Sequence, residues 1–232
     1  MHNFSLAICL AEISMIEFLN FRFYTVDIEY LRFLYSLDSE VMYSSDKNYK
    51  DKPFLGTLIT VFDKKYLIPL TSAKKKHVGM KDISEKYIRI YELIDTREYT
   101  ISDNDIIDEL NCNDLMKLRL NKKTDADIRY YKKKILSVLM IGKMIPITDS
   151  VIKIIDISIV PDLDKKELNK RILLNKEYNF CLFSKKIILN KARNLYEKSH
   201  NKKSRIPYCC DFKMLEYEMN NFSITNQNPC DI

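Results

Sequence analysis

Glycine is scarce in this chain, three in 232 residues, and tryptophan is absent. So little glycine leaves few positions for the loops that cradle nucleotide phosphates. Neither a GxGxxG nor a GxxxxGK[ST] pattern occurs, which sets aside the common nucleotide-binding motifs. The six cysteines, Cys9, Cys112, Cys181, Cys209, Cys210 and Cys230, include no pair at CxxC spacing. A zinc site is therefore disfavoured, and scattered thiols in a lysine-rich chain predict reduced side chains and a cytoplasmic protein rather than a disulfide framework. Cys209-Cys210 follows Lys202, Lys203 and Arg205 without a base nearby in sequence, so a buried structural role is expected. Histidine is almost as rare: His77 and His200 are the pair beyond His2, and nothing in their spacing predicts that they converge. No metal and no cofactor are expected. Asp103, Asp105, Asp108 and Glu109 resemble a calcium loop only superficially, because no glycine supplies its sharp turn.

Long apolar runs are lacking too. Phe4–Leu10 and Ile13–Leu19 are interrupted by Glu12 and Glu17, whereas a membrane span needs about 20 mostly apolar residues. Neither a signal peptide nor a transmembrane helix is expected, and no membrane partner. Residues 1–17 read either as a docked amphipathic helix or as an extension upstream of an alternative start at Met15.

What is present is charge, unevenly placed. The net charge of +6 conceals an acidic stretch, residues 82–114, with ten acidic against three basic side chains. It also conceals a basic one, residues 165–205, with thirteen basic against three acidic. The second is a plausible footprint for a polyanion, or simply a solvated helical face.

The apolar patterning predicts a mixed chain of one domain, residues 18–222, with a tail over 223–232. Residues 18–25 read as a first strand, followed by a helix capped by Thr25 or Asp27 with Ile28, Leu31, Leu34 and Tyr35 as its stripe. Residues 43–53 form a loop ended by Pro53, and Phe54–Phe62 with Lys65–Leu70 form a hairpin. Tyr87–Leu93 is a further strand. Residues 95–134 break the pattern as a helical insertion, with a helix start at Ser102 and Ile106, Ile107, Leu110, Leu115 and Leu118 as its apolar face. Strands resume over 135–147 and 151–159, basic amphipathic helices follow from Asp162, and the last helix covers 212–219.

The stretch that carries chemistry is Leu67-Ile-Pro-Leu-Thr-Ser-Ala-Lys-Lys-Lys-His77, an apolar strand running into two hydroxyls and a cluster of cations. Thr71, Ser72 and Lys74 there suit a scissile phosphate, where transesterification accumulates negative charge. The same residues also suit an ordinary strand end whose hydroxyls satisfy local backbone groups. Tyr30 and Tyr49 are candidates for stacking on unpaired bases, although among fifteen tyrosines a given one more often packs than binds.

In order, these pieces resemble the ToxN/AbiQ family of endoribonuclease toxins from bacterial type III toxin-antitoxin systems. Phe23-Tyr24-Thr25 with Tyr30 is similar to the family's opening, and Tyr49 and Lys52 fall where its loop tyrosine and lysine fall. Phe54-Leu55-Gly56 is similar to its next strand, and Tyr66 to Lys74 to its central Thr-Ser-x-Lys motif. Met144-Ile145-Pro146-Ile147, the aliphatic segment to Val160, and Cys210-Asp211-Phe212 with Leu215 and Glu216 follow in order. Residues 1–17 and about 95–134 are additional to the family pattern, and the second bears on oligomer geometry or on antitoxin contacts.

The resemblance implies an α+β fold, a strongly twisted antiparallel sheet in an SH3-like, partly open barrel partly wrapped by helices. It implies a metal-independent endoribonuclease cutting single-stranded A-rich RNA by 2′-hydroxyl attack, leaving 2′,3′-cyclic phosphate and 5′-hydroxyl ends. The partner it implies is a repeated pseudoknot RNA antitoxin, processed by the toxin and held in a closed protein–RNA assembly in phage defence. On this chain Ser72 and Thr71 would meet the scissile phosphate, Lys74 would stabilise its charge, and Lys52 is a second cation. Tyr30, Tyr49, Lys75, Lys76 and His77 would hold RNA, as would Lys170, Arg171, Lys185, Lys186, Lys191 and Arg193. Two alternatives stand beside it: a non-catalytic RNA-binding protein, and a toxin of related fold acting on a protein.

Overall fold

The computed structural model describes residues 22–46, 54–61, 64–202 and 204–225. They form two compact units: unit 1 takes residues up to Pro69, Met140–Asp156 and the chain from Lys185, and unit 2 takes Leu70–Leu139 and Ile157–Ser184. Among the described residues every strand pairing is antiparallel and each unit combines helices with sheet, so the α+β expectation holds, and no closed barrel forms. Among the described residues no helix is long and apolar enough to cross a membrane.

Unit 1 begins with β1 (Arg22–Val26), whose Phe23, Tyr24 and Val26 are buried. Asp27 ends the strand and caps α1 (Ile28–Leu37), its carboxylate accepting from the backbone N–H of Glu29 at 2.9 Å and of Tyr30 at 3.0 Å. This satisfies two of the donors that a helix start leaves open. The expected hairpin is β2 (Phe54–Val61) with β3 (Lys64–Ser72), and β1 pairs on the far side of β2. The run Tyr66–Leu70 is buried without interruption, as befits a strand paired on both edges: β7 (Ile145–Ile147) lies against Lys65–Leu67.

The helices α5 (Lys185–Asn201) and α6 (Phe212–Thr225) complete the unit. Ile188, Ala192 and Leu195 of α5 and Phe212 and Leu215 of α6 are fully buried. Tyr66 fixes them together: its ring meets Tyr196 and Phe212 edge-on at 5.7 and 6.0 Å, and its hydroxyl donates to the Glu216 carboxylate. Asp38 accepts from Arg205 and from the N–H of Asp211, the latter at 2.7 Å, tying the entry of α6 to the end of α1. Cys209 and Cys210 are buried, and burial pushes the Cys210 thiol well above its usual range.

Unit 2 is built on β6 (Tyr131–Leu139). Along one edge it pairs with β4 (Ile88–Asp95), from Ile88 opposite Leu139 to Asp95 opposite Tyr131. Along the other edge it takes the end of β3, Leu70–Ser72, and then β5 (Ile106–Asp108). Helix α4 (Lys165–Phe183) buries Leu174, Glu177 and Cys181.

Three expectations change. The helix predicted to start at Ser102 is absent: the Asp105 carboxylate accepts from the N–H of Ser102 at 2.9 Å and from the Tyr99 hydroxyl at 3.1 Å, folding a turn, and Ile106–Asp108 goes into the sheet. The helix of this segment is α2 (Cys112–Leu120), capped by Asn111 in a capping box with Asp114, followed by the single turn α3 (Asp125–Ile128). The predicted strand over 151–159 shrinks to β8 (Ile152–Ile154), paired with β1. Beyond it the carbonyls of Ile157 and Ser158 accept from Asn175 and Arg171 of α4 instead of from a strand. The last helix continues past Met219 to Thr225.

Candidate active site

Where β3 ends, Leu70 lies opposite Leu139, half-buried Thr71 opposite Val138, and exposed Ser72 opposite Ser137 of β6. The N–H of Ala73 still reaches the carbonyl of Leu136 at 3.3 Å, and the chain then leaves the sheet. Lys74 opens a single 3₁₀ turn over Lys75–His77. The turn is closed twice: the N–H of His77 bonds the Lys74 carbonyl at 2.8 Å, and the N–H of Lys74 bonds Nδ1 of the buried His77 ring at 3.1 Å. Burial, with the nearby charges of Lys76, Lys74 and Arg89, pushes the His77 imidazole below its usual pKa. His77 is thus an acceptor inside the turn, while Lys74, Lys75 and Lys76 are exposed. Among the described residues no ion pair engages those three lysines and no side-chain hydrogen bond engages Ser72.

The turn is held from behind by a buried charge network. Arg89 of β4 donates to the His77 carbonyl at 2.8 Å and pairs with both Asp82 and Asp108. Asp108 also accepts from the N–H of Gly79, which has a φ of +73°, a conformation that suits glycine. Asp82 in turn takes Lys133 at 2.9 Å and the Asn111 amide at 2.5 Å. Lys133, with its side chain fully buried, also pairs at 2.5 Å with fully buried Asp114. Burial alone would raise the carboxyls of Asp82 and Asp108, but hydrogen bonds outweigh it and hold both below their usual range, from Lys133, Arg89 and Asn111 to Asp82 and from Arg89 and the N–H groups of Glu109 and Gly79 to Asp108. Asp82, Asp108 and Arg89 stay ionised because each has a partner.

Sequence reasoning missed this network. Its trace was the acidic surplus of residues 82–114, whose counter-charges include Arg89 and Lys133. Four of the members, Asp108, Asn111, Asp114 and Lys133, come from residues 95–134, the stretch expected to be a helical insertion, and the family match given below runs through it.

Unit 2 therefore brings together Thr71, Ser72, Lys74, Lys75, Lys76 and His77, and it also holds Lys170 and Arg171 on α4. Lys170 is exposed; Arg171 pairs with Glu167 at 3.0 Å and donates to the Ser158 carbonyl at 2.5 Å. The other candidates belong to unit 1. Tyr30 lies in its core, 1% exposed, its hydroxyl donating to the Pro146 carbonyl at 2.7 Å and its ionisation pushed up by burial. Lys185, Lys186, Lys191 and Arg193 lie on α5, with Lys186 exposed and the other three half-buried. Tyr49 and Lys52 fall outside the described residues. Among the described residues no group of three or more His, Cys, Asp or Glu side chains is arranged to hold a metal ion.

Known proteins align with this chain along most of its length. The chain is 24% identical over 215 residues to the endoribonuclease ToxN of Bacillus thuringiensis subsp. kurstaki, spanning 90% of this chain and 87% of that one. Its fold is similar to the solved structure of AbiQ, described as a lactococcal anti-phage endoribonuclease of a type III toxin-antitoxin system, with 25% identity and a TM-score of 0.59 over 88% of this chain and 98% of that one. A second structure, described as showing selective toxin inhibition by a non-coding RNA pseudoknot, matches in fold with 20% identity and a TM-score of 0.58, covering 87% and 97% of the two chains. The family model for toxin ToxN of type III toxin-antitoxin systems matches residues 22–220, and to that family this chain belongs.

Proposed function

We propose that this chain is an endoribonuclease toxin that cuts single-stranded, A-rich RNA by transesterification at Thr71, Ser72 and Lys74. The observation that carries the reading is the end of β3, where Ser72 closes the strand and Lys74 opens a turn braced by Arg89, the Ser72 hydroxyl and the Lys74 ammonium having no partner among the described residues. A rigid frame presenting a donor and a cation to solvent is what a phosphorane needs, because preorganised charge costs no rearrangement during the reaction.

In this mechanism the 2′-hydroxyl gives up its proton and its oxygen attacks the adjacent phosphorus. The bond to the 5′-oxygen breaks, that oxygen takes a proton, and the products are a 2′,3′-cyclic phosphate and a 5′-hydroxyl. Ser72 and Thr71 contact the phosphate. Lys74 stabilises its added negative charge, a task that a lysine performs in its ordinary protonated form at neutral pH. Lys52 is the second cation, and no metal or cofactor takes part. Lys75 and Lys76 follow the RNA backbone away from the cut, and His77 acts by fixing the turn from within. Tyr49 holds an unpaired base, and Tyr30 contributes by anchoring the backbone at Pro146.

The inhibitor in this reading is a repeated pseudoknot RNA processed by the toxin and kept in a closed assembly in the cytoplasm, as part of phage defence. Its backbone lies on Lys170 and Arg171 of α4 and on Lys185, Lys186, Lys191 and Arg193 of α5. Binding then weakens steeply as salt displaces phosphate contacts. The sheets are, in the same reading, those of a strongly twisted, SH3-like, partly open barrel, a form supported by family kinship.

The test is incubation of antitoxin-free protein with a mixed single-stranded RNA pool in EDTA, mapping cut positions and ends for wild type, Ser72→Ala and Lys74→Ala. Selective cuts with cyclic phosphate ends in wild type alone are expected, with RNA binding retained by both variants. RNA bound but uncut by the wild type leaves a binding module. Cutting that returns only with added divalent cation overturns metal independence.

A further inference from the structure

Beside Ser72, unit 2 carries an open cleft of about 570 Å³, a volume in the range of small-ligand sites and large enough for a nucleotide. Ser72 and Ala73 form one wall, α4 supplies Asn169 and Leu173, and the 95–134 segment supplies Tyr99, Asn104 and Ile106. The charged groups that line it are internally paired. Asp105 meets Lys134 at 2.7 Å, with the Lys134 ammonium also over the Tyr99 ring at 4.5 Å, and Glu92 meets Lys176 at 2.7 Å. Two polar groups are left over: among the described residues no hydrogen bond engages the side-chain amides of Asn104 or Asn169.

That combination selects an occupant. A phosphate would meet lysines already committed to carboxylates, and a cation would meet carboxylates already committed to lysines. A nucleobase is flat, largely apolar on its faces and neutral, with donors and acceptors along its edge. An asparagine amide offers both a donor and an acceptor, the pairing that reads a base edge. Single-stranded RNA exposes such edges, unlike a duplex. The cavity touches Ser72, so a base held in it belongs to a nucleotide next to the scissile bond.

We infer that this cavity is a base-reading subsite, in which the 95–134 segment encloses one nucleobase flanking the cut and Asn104 and Asn169 read its edge. The inference rests on the nuclease reading for its location beside a cut, but the cavity and its amides stand without that reading. Selectivity at one position is thereby assigned to residues 95–134 together with α4.

Asn104→Ala, Asn169→Ala and Asn104→Asp are compared with wild type on a randomised RNA pool, scoring base preference at each position around the cut. Both asparagines are exposed, so thermal unfolding should match wild type. The expected result is a loss of about 10- to 100-fold in discrimination at one flanking position, with the preferences at other positions retained. Asn104→Asp, which exchanges a donor for an acceptor, should change the preferred base there. A uniform fall in rate with preferences intact overturns the subsite. A second arm measures equilibrium binding of oligonucleotides made uncleavable by 2′-deoxy substitution and differing at single positions. If the wild type cuts nothing yet binds with a base preference that the asparagine variants lose, the nuclease reading fails and the subsite stands. If binding preferences are the same in wild type and variants, the subsite fails whatever the cutting shows.

Discussion

Arg89 on β4 is ion-paired with Asp108 at the end of β5, both of them buried, and through this pair the turn that carries Lys74 to His77 is fastened to the 95–134 segment. The segment is therefore part of the frame of the motif, because Asp108 also holds the N–H of Gly79 just beyond the turn.

Asp108→Ala should destabilise the protein by about 3–5 kcal/mol, since removing one partner of a buried pair leaves the other's charge poorly compensated. Urea unfolding measures this. Asp108→Asn, which keeps an acceptor for Gly79, should lose less. Equal losses for the two would show that the Gly79 bond contributes nothing.

Glu177 on α4 is buried, and burial pushes its carboxyl up to about 7. The folded state then holds this proton more tightly than the unfolded chain. The resulting stabilisation is complete below the unfolded value near 4.5, falls as pH rises from there, and is gone above about 7. Glu177→Gln should therefore gain stability over wild type at pH 8, by about 2 kcal/mol more than it does at pH 5. Denaturant midpoints at the two pH values check it, and an equal gain at both would contradict a buried, proton-holding carboxyl.

His77 titrates the other way. Its folded pKa lies below the ordinary 6.5 because burial and the cations Lys76, Lys74 and Arg89 disfavour the imidazolium. Its contribution is intact above the unfolded value and is lost as pH falls through the depressed one. Protonation also removes the lone pair at Nδ1 that accepts from the Lys74 N–H. His77→Asn should flatten the acid limb of thermal stability between pH 7 and pH 5 while leaving RNA binding at pH 7.5 nearly unchanged. An acid limb as steep as that of wild type would remove His77 from this account.

Tyr66→Phe takes the hydroxyl from buried Glu216 and leaves the ring packing against Tyr196 and Phe212. A loss of about 1 kcal/mol is expected for the hydrogen bond, because Glu216 keeps Tyr196 and His200 beside it. Adding Glu216→Gln should recover part of it, and a double-mutant cycle by chemical denaturation measures the coupling.

Much of this was legible in the residues. Asp27 before a helical stripe, the paired apolar runs of β2 and β3, and hydroxyls followed by lysine where the apolar run stops each announce local structure. Cys210-Asp211-Phe212 and Glu216, matched only by resemblance, turn out to be the contacts that seat α6 on Gly142, Asp38 and Tyr66. What was hidden depends on register. Within Lys132-Lys133-Lys134, alternation along β6 turns only Lys133 fully inward, and its partners Asp82 and Asp114 lie 51 and 19 positions away. Three-residue β5 is too short to show a period, and acidic residues before it imitate a helix start. Tyr30 has the spacing of a stripe residue and the chemistry of a binding one; only burial separates the two.

Unit 1 is assembled from three stretches of chain, and Tyr66 waits for Glu216 across 150 positions. A ribosome adding about 5–20 residues per second needs on the order of ten to thirty seconds to cover that distance. The Thr71 to Lys74 motif is thus translated well before unit 1 can close, and for that interval the Tyr66 hydroxyl lacks the carboxylate it meets in the folded unit.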